Sequence, residues 1–124
     1  MFIPQAFDLV IYKGASFIER FNLTVDGLPF ESDGWKARMQ IRETLESTAV
    51  VVELTTENGG ISFVKTNDSE GKLVSTELKL YIAPAVTEVI SVQGGVYDVE
   101  LVDAAGDVGR LLEGSVSFNP EVTR

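Results

Sequence analysis

The 124-residue sequence contains no cysteine and no histidine. The first absence excludes disulfides, thiolate zinc sites and cysteine nucleophiles. The second removes the usual general base and the commonest transition-metal ligand. The titratable residues that remain form no recognisable catalytic arrangement. We therefore expect a protein that is not an enzyme, with no catalytic residue, no cofactor and no metal site.

Basic residues and long apolar runs are also scarce. The chain has 10 Lys and Arg against 19 Asp and Glu, which gives a formal net charge of -9 and a pI near 4.4. Such a charge repels the phosphates of nucleic acids and anionic lipid headgroups. No apolar run approaches the ~20 residues of a membrane span. The expected partners are therefore proteins, with no nucleic acid and no membrane.

What the sequence does contain is alternation, most clearly in the run W-K-A-R-M-Q-I-R-E at residues 35–43. The apolar members of this run share one face and are Trp35, Ala37, Met39 and Ile41. A helix would scatter these side chains around its axis, because its period is 3.6 residues rather than 2. The run therefore predicts a strand with one buried face and one solvated face.

The same pattern recurs along the chain. The predicted strands span residues 7–12, 16–25, 35–43, 49–54, 61–64, 73–82, 96–102 and 108–118. Turn-forming segments separate them, among them Asp26-Gly27 and the run E-N-G-G at 57–60. We expect the second of these turns to join its two flanking strands in a hairpin. Residues 84–90 predict one or two helical turns, because proline suits the first helical position.

Strands with one apolar face are buried economically when two antiparallel sheets pack face to face. A chain of 124 residues suits one domain, whose core is large enough to need no disulfide or metal. No linker, low-complexity tract or internal repeat divides the chain. The sequence thus predicts a single β-sandwich domain over residues 1–124, with a short N-terminal arm at residues 1–6.

Two aromatic residues connect this pattern to a known fold. Trp35 on the third strand, and Tyr97 two positions before Val99 on a late strand, resemble the immunoglobulin fold. The resemblance implies an all-β, immunoglobulin-like antiparallel sandwich of seven to nine strands with one short helical crossover. It also implies that the Tyr97 hydroxyl bonds to nearby backbone. Alternatively, Trp35 and Tyr97 are core aromatics of some other sandwich.

The resemblance also implies which residues hold the two sheets together. Val99 stands where the immunoglobulin fold has a cysteine, and Leu23 or Phe21 stands at the partner position. The contact between the sheets must then be apolar packing, since a disulfide cannot form. The expected core structural residues are accordingly Trp35, Tyr97, Val99, Leu23 and Phe21.

A second resemblance concerns biology. The chain contains, in order, F-D-L-V-I-Y-K-G at 7–14, V-D-G-L-P-F at 25–30, W-K-A-R-M-Q-I-R at 35–42, G-V-Y-D-V-E-L at 95–101 and G-R-L-L-E-G-S-V-S-F-N-P-E-V-T-R at 109–124. This order, which covers nearly the whole chain, resembles small structural proteins of tailed bacteriophages. It is similar to the immunoglobulin-like domain at the start of phage baseplate upper proteins.

The phage resemblance implies a structural component of the tail, baseplate or fibre attachment that binds other virion proteins. It also implies a location in the virion, and in the host cytoplasm during assembly. One alternative is a decoration protein of the capsid head. Another is a carbohydrate-binding module, in which Trp35, Tyr12 or Tyr81 would form an exposed stacking platform. The sequence leaves open whether the protein also associates with itself.

The wet face of the Trp35 strand offers candidate interface residues. Lys36, Arg38 and Arg42 lie on this face, and the opposite charges Asp98 and Glu100 lie on the late strand. We expect a solvated cross-strand ladder, in which each exposed pair contributes about 0.2–1 kcal/mol. The alternative is that Arg38 and Arg42 bind carboxylates of a neighbouring subunit.

Two further regions invite a functional interpretation. In the arm, Phe2 and Ile3 are apolar side chains that either fray in solvent or add to the sheet edge of a neighbouring subunit. Near the turn at 104–105, calcium could be held weakly by the carboxylates of Asp98, Glu100, Asp103 and Asp107. Their spacing is not that of a known calcium loop, so we expect no metal there.

Overall fold

Eleven strands and one short helix make up the part of the chain that the computed structural model describes, residues 3–123. The elements are β1 (Gln5–Ala6), β2 (Leu9–Tyr12), β3 (Phe17–Asn22), β4 (Thr24–Val25), β5 (Leu28–Pro29), β6 (Lys36–Arg42), β7 (Val52–Thr55), β8 (Ile61–Asn67), β9 (Leu73–Ile82), α1 (Pro84–Thr87), β10 (Gly94–Val102) and β11 (Val108–Asn119). Three of the strands have only two residues, which leaves eight of four or more.

The strands form two main sheets and one small ribbon. The larger sheet has the order β1-β11-β10-β6-β7, with β2 also pairing with β11. The smaller sheet has the order β3-β9-β8, and β4 pairs with β5 in the ribbon. With α1 as a short helical crossover between β9 and β10, the predicted all-β, immunoglobulin-like sandwich is confirmed. One detail differs, since β1 and β2 run parallel to β11 rather than antiparallel.

The core lies between the two sheets and is built by strict alternation. On β6, Ala37, Met39 and Ile41 are buried while the intervening side chains are partly or fully exposed. On the opposite sheet, Leu78 and Leu80 of β9 are completely buried. Burying one such aliphatic side chain stabilises the fold by roughly 1.5–3 kcal/mol. The period-2 pattern of the sequence is thus the pattern of the core.

The predicted hairpin between residues 49–54 and 61–64 is wrong. The turn at 57–60 does reverse the chain, and the Asn58 side chain accepts hydrogen bonds from the backbone of Thr55 and Gly60. However, β7 pairs with β6 in the larger sheet, whereas β8 pairs with β9 in the smaller one. The turn residues specify a reversal of the chain but not which sheet each flanking strand joins, and β7 and β8 each pair with a different strand.

The predicted second strand at 16–25 is interrupted at Leu23. The Leu23 amide donates to Thr76 on β9, while its carbonyl accepts from Phe30. Beyond it, β4 and β5 form a tight ribbon whose turn has positive φ at Asp26 (53°) and Gly27 (78°). A two-residue turn of this kind matches the twist of its strands. The residues that flank the ribbon are bonded to β9, because the Thr76 hydroxyl also donates to the Phe30 carbonyl.

The crossover is tied to the strands at its end of the sandwich. The buried Thr87 hydroxyl oxygen accepts a hydrogen bond from the Gly14 amide (3.0 Å) and the hydroxyl donates to the Ala15 carbonyl (2.8 Å).

Between β10 and β11 the register shifts by one residue at Leu111, which is a β-bulge that leaves both Leu111 and Leu112 buried. None of the helices described in residues 3–123 has the length and apolarity to span a bilayer.

Candidate protein-docking site

A groove of about 1340 Å³ opens on the flank of the sandwich, between β1 and the second half of β3. Its rim carries four exposed apolar side chains, which are Ile3, Phe7, Val25 and Leu28. Its floor is formed by Leu23, Phe30, Trp35, Leu111 and Leu112. We call this surface the flank groove. An exposed apolar patch of this kind is typical of a surface that binds another protein.

Two of the rim residues, Val25 and Leu28, are exposed because they lie on the ribbon. Val25 and Leu28 face each other across the ribbon in direct register, on either side of the turn at Asp26 and Gly27. Leu28 is 67% exposed, although leucine is usually buried. A two-stranded ribbon this short has no core of its own, so its apolar side chains point over the groove.

Aromatic pairs fix the floor and one end of the flank groove. The Phe30 and Trp35 rings pack edge to face at 5.1 Å between centroids, and Phe63 lies 6.2 Å from Phe30. At the end, Phe7 and Phe21 meet at 5.1 Å with perpendicular planes. Such pairs contribute about 0.5–1.5 kcal/mol beyond their buried area. The groove is therefore a preformed surface.

The wall formed by β1 and Phe7 is held by Tyr97. The Tyr97 hydroxyl donates a 2.5 Å hydrogen bond to the Phe7 carbonyl, where β1 ends and β2 has not yet begun. The immunoglobulin resemblance implied that this hydroxyl bonds to nearby backbone; it does bond to a backbone carbonyl, but to one 90 residues earlier in the chain. The reason is that Gly114 lacks a side chain, so the Phe7 backbone approaches β11 closely and reaches the hydroxyl.

Electrostatics strengthen this anchor. Burial, followed by the nearby charges of Asp8 and Glu19, raises the pKa of Tyr97 to about 12, so the phenol stays neutral and donates. The Asp8 carboxylate accepts a 3.0 Å hydrogen bond from the Ser115 amide, which lowers the pKa of Asp8. The Phe7 amide donates to Glu113 on β11. These bonds tie the wall to β10 and β11.

The remaining expected core residues differ in burial. Val99 is fully buried on β10, and Leu23 is buried just after β3. Phe21 and Trp35 are only partly buried and pack against the core from the groove side. Trp35 also lies one residue before β6 begins. The structure thus brings Phe21, Leu23 and Trp35 together in the flank groove, while Tyr97 supports its wall.

One direct pair of the predicted cross-strand charge ladder forms. Arg38 and Glu100 are in register, with 2.8 Å between Nε and Oε1. Asp98 instead lies 3.5 Å from Arg110 on β11. Burial raises the pKa of Asp98, and Glu100 adds to the rise while Arg110 opposes it. The outer face of the larger sheet therefore satisfies much of its own charge.

The Arg42 side chain bonds to the loop that follows its own strand, β6. Its guanidinium donates to the carbonyls of Ser47 (2.9 Å) and Thr48 (3.0 Å) and to the Gln40 side chain (2.8 Å). In the arm, Phe2 lies outside the described residues, whereas Ile3 is 79% exposed and lines the flank groove. The interface candidates Arg38, Arg42 and Ile3 are thus not one surface.

Other candidate sites are dispersed or already used. The Asp103 carboxylate accepts hydrogen bonds from the amides of Ala105 and Asp107, both at 2.9 Å, and so shapes its own turn. Within residues 3–123, no group of three or more acidic side chains is arranged to hold a metal ion. Two of the residues considered for a carbohydrate-stacking platform lie on different sheets, since Tyr12 is on β2 of the larger sheet and Tyr81 is on β9 of the smaller one.

The sequence pattern did not identify three residues of the rim, Phe7, Val25 and Leu28, as candidate binding residues. Their signal was present in the run V-D-G-L-P-F at 25–30, where apolar residues flank a turn and have no strand long enough to bury them. A loop that is apolar despite its turn residues is a recognisable docking signal.

Comparisons with known proteins give a likeness to solved structures only. No protein-family model and no curated protein matches the sequence. A mutant of the SrpA adhesin from Streptococcus sanguinis aligns at 10% identity and TM-score 0.41, over 91% of this chain and 55% of that chain. The sialic acid binding region of a second Streptococcus sanguinis adhesin aligns at 18% identity and TM-score 0.39, over 96% and 29%.

A structure from a study of cell-adhesive interactions of VGSC beta subunits aligns at 6% identity and TM-score 0.41, over 95% of this chain and 93% of that chain. The present chain therefore spans about half the length of the first adhesin and less of the second. All three TM-scores lie below 0.5, so the immunoglobulin-like assignment rests on the strand order and register described above.

Proposed function

We propose that this protein is a non-enzymatic structural component of a tailed phage virion. It acts as an adaptor in the tail, baseplate or fibre attachment and binds neighbouring virion proteins through the flank groove. The observation that carries the docking role is the exposed apolar rim of the groove, on which Leu28 is 67% exposed. The phage setting is supported by the ordered sequence resemblance over nearly the whole chain.

The mode of action follows from symmetry. A groove of modest size supports only limited affinity for a single contact. In a symmetric particle, however, many copies bind together, and each bound contact raises the effective concentration of the next. Weak binding between two isolated subunits is therefore compatible with firm attachment to a particle.

Labelling of particles tests the proposal. A gold-conjugated antibody against this chain is applied to purified particles of the phage that encodes it, and viewed by electron microscopy. We expect gold at the tail or baseplate. Gold confined to the head would favour the decoration alternative, and unlabelled particles, despite the chain being abundant in the infected cell, would overturn the virion role.

A further inference from the structure

The smaller sheet ends in a strand with an unoccupied side. β3 forms its ladder with β9. On its other side no backbone partner is present among residues 3–123. The segments that precede it, β1 and β2, pair with β11 of the opposite sheet instead. A free edge of this kind is a template for the addition of another strand.

The register shows which backbone groups are available. The Leu23 amide donates to the Thr76 carbonyl at 2.8 Å, and in an antiparallel ladder every second residue is bonded in this way. The residues whose backbone groups therefore face β9 are Phe17, Glu19 and Phe21. The residues whose backbone groups face the open edge are Ile18, Arg20 and Asn22. Three residues with aligned donors and acceptors suit an added strand of about five or six residues.

The charge around this edge selects the occupant. Glu19 shares the inner face of β3 with Phe17 and Phe21, so its carboxylate points inwards beside the flank groove. The groove lining adds Asp26 and Glu31. Arg20 is the basic member of the described lining, and its guanidinium lies 3.5 Å from Glu77. A second copy, with its own charge of -9, would be repelled, whereas a cationic partner would be attracted.

We propose that the open edge of β3 accepts an extended strand from a partner protein, apolar at the alternate positions that face the flank groove and carrying a lysine or arginine that pairs with Glu19. Backbone hydrogen bonds to Ile18, Arg20 and Asn22 hold the strand, and the groove selects its side chains. This inference names the binding mode of the proposed docking function and rests on it.

A synthetic peptide tests the binding mode on the whole protein. The probe is the capped nonapeptide Thr-Val-Thr-Lys-Thr-Val-Thr-Val-Thr, which places valine and one lysine on a single face. Fluorescence of Trp35, the single tryptophan, reports binding at the groove floor. With the probe at saturation, amide hydrogen exchange of Ile18, Arg20 and Asn22 should slow at least tenfold. The amides of Phe17, Glu19 and Phe21, already bonded to β9, should change much less.

Two controls separate strand addition from simple apolar docking. The same peptide with N-methyl groups on alternate residues keeps its side chains but loses the donors, and we expect at least tenfold weaker binding. In the protein, Arg20→Pro removes one edge-facing N–H and should bind the peptide at least fivefold more weakly than Arg20→Ala, which loses the same side chain but keeps that N–H. The peptide arm needs no protein variant, so a folding failure of Arg20→Pro does not affect it.

The outcomes that overturn the inference are specific. Equal binding of the N-methylated peptide, no binding of the parent peptide at millimolar concentration, or unchanged exchange at Ile18, Arg20 and Asn22 would each reject strand addition. If the peptide tests fail but the antibody labels the phage tails with gold, only the binding mode is rejected. Peptide binding as expected with unlabelled particles would reject the virion role alone.

Discussion

The outer face of the larger sheet and the flank groove differ in how far their side chains are already satisfied within the chain. On the outer face, Arg38 bonds Glu100 and Arg42 bonds its own loop. In the groove, Ile3 and Leu28 are apolar and largely exposed. The difference shows that the most regular charge pattern of the sequence is paired within the sheet, whereas the exposed apolar surface comes from the N-terminal arm and the short ribbon.

The largest effect should come from the groove floor, which is part of the core. Trp35→Ala removes a ring that packs on Phe30, and the cavity should lower the free energy of unfolding by about 2–4 kcal/mol. Urea denaturation followed by far-UV circular dichroism measures it. Trp35→Phe is the matched control and should cost less than half as much. A loss below about 1 kcal/mol for Trp35→Ala would mean that the floor is mere surface.

The groove wall offers the next test. Tyr97→Phe leaves the Phe7 carbonyl without its hydroxyl donor, which should cost about 1–3 kcal/mol of stability at neutral pH. Exchange of the amides in β1 and β2 should also accelerate, because the variant loosens the wall. If stability and exchange both stay at the wild-type values, the hydrogen bond does not anchor these strands.

The same tyrosine predicts a dependence on pH. Its pKa is about 12 in the folded protein against an ordinary value near 10, so folding favours the protonated form. The contribution is fully present below pH 10 and is lost as the pH rises from about 10 to about 12, by about 1.4 kcal/mol per unit. Urea titrations at pH 9 to 12 should show this loss in the wild type. Tyr97→Phe should lack it, and parallel curves for the two proteins would contradict the assignment.

On the charged face the expected effect is smaller. A double-mutant cycle with Arg38→Ala and Glu100→Ala should give a coupling of about 0.2–1 kcal/mol, because both side chains remain accessible to solvent. Coupling should fall further in 1 M salt, where charges are screened. A value above about 2 kcal/mol would show that this face contributes more to stability than its exposure allows.

The smallest effect on stability should come from the groove rim. Leu28→Ser changes an exposed side chain, so the free energy of unfolding should stay within about 0.5 kcal/mol of the wild type. Leu80→Ala, at a fully buried position of β9, is the contrasting control and should cost about 2–5 kcal/mol. Thermal unfolding of both variants measures this. A large loss for Leu28→Ser would make the rim a structural element rather than a binding one.

The features that the sequence predicts well are those set by local alternation. The strand expected at 73–82 has the same bounds as β9, and the alternate burial of β6 follows its apolar residues. Each of these depends on neighbouring residues that point to opposite faces of one strand. Prediction therefore succeeds where the residues of a single segment determine its buried and solvated faces.

Features set by distant pairing could not be predicted in this way. The assignment of β7 and β8 to different sheets depends on which edge each strand meets. The Tyr97 to Phe7 bond joins residues 90 positions apart, and it requires the absence of a side chain at Gly114. Because β1 and β2 pair with β11, one side of β3 has no strand partner within residues 3–123, and the flank groove lies between β1 and β3. None of these partners is encoded in the local pattern.

The most direct test of the account compares one charge substitution on each of the two surfaces. Leu28→Glu on the groove rim and Arg38→Glu on the charged face are introduced separately into the phage that the proposed function implies, and the amount of the chain in its purified particles is measured by quantitative mass spectrometry. We predict at least a tenfold loss for Leu28→Glu and less than a twofold change for Arg38→Glu. The opposite result, with Arg38→Glu excluded from particles and Leu28→Glu retained, would contradict the assignment of docking to the flank groove.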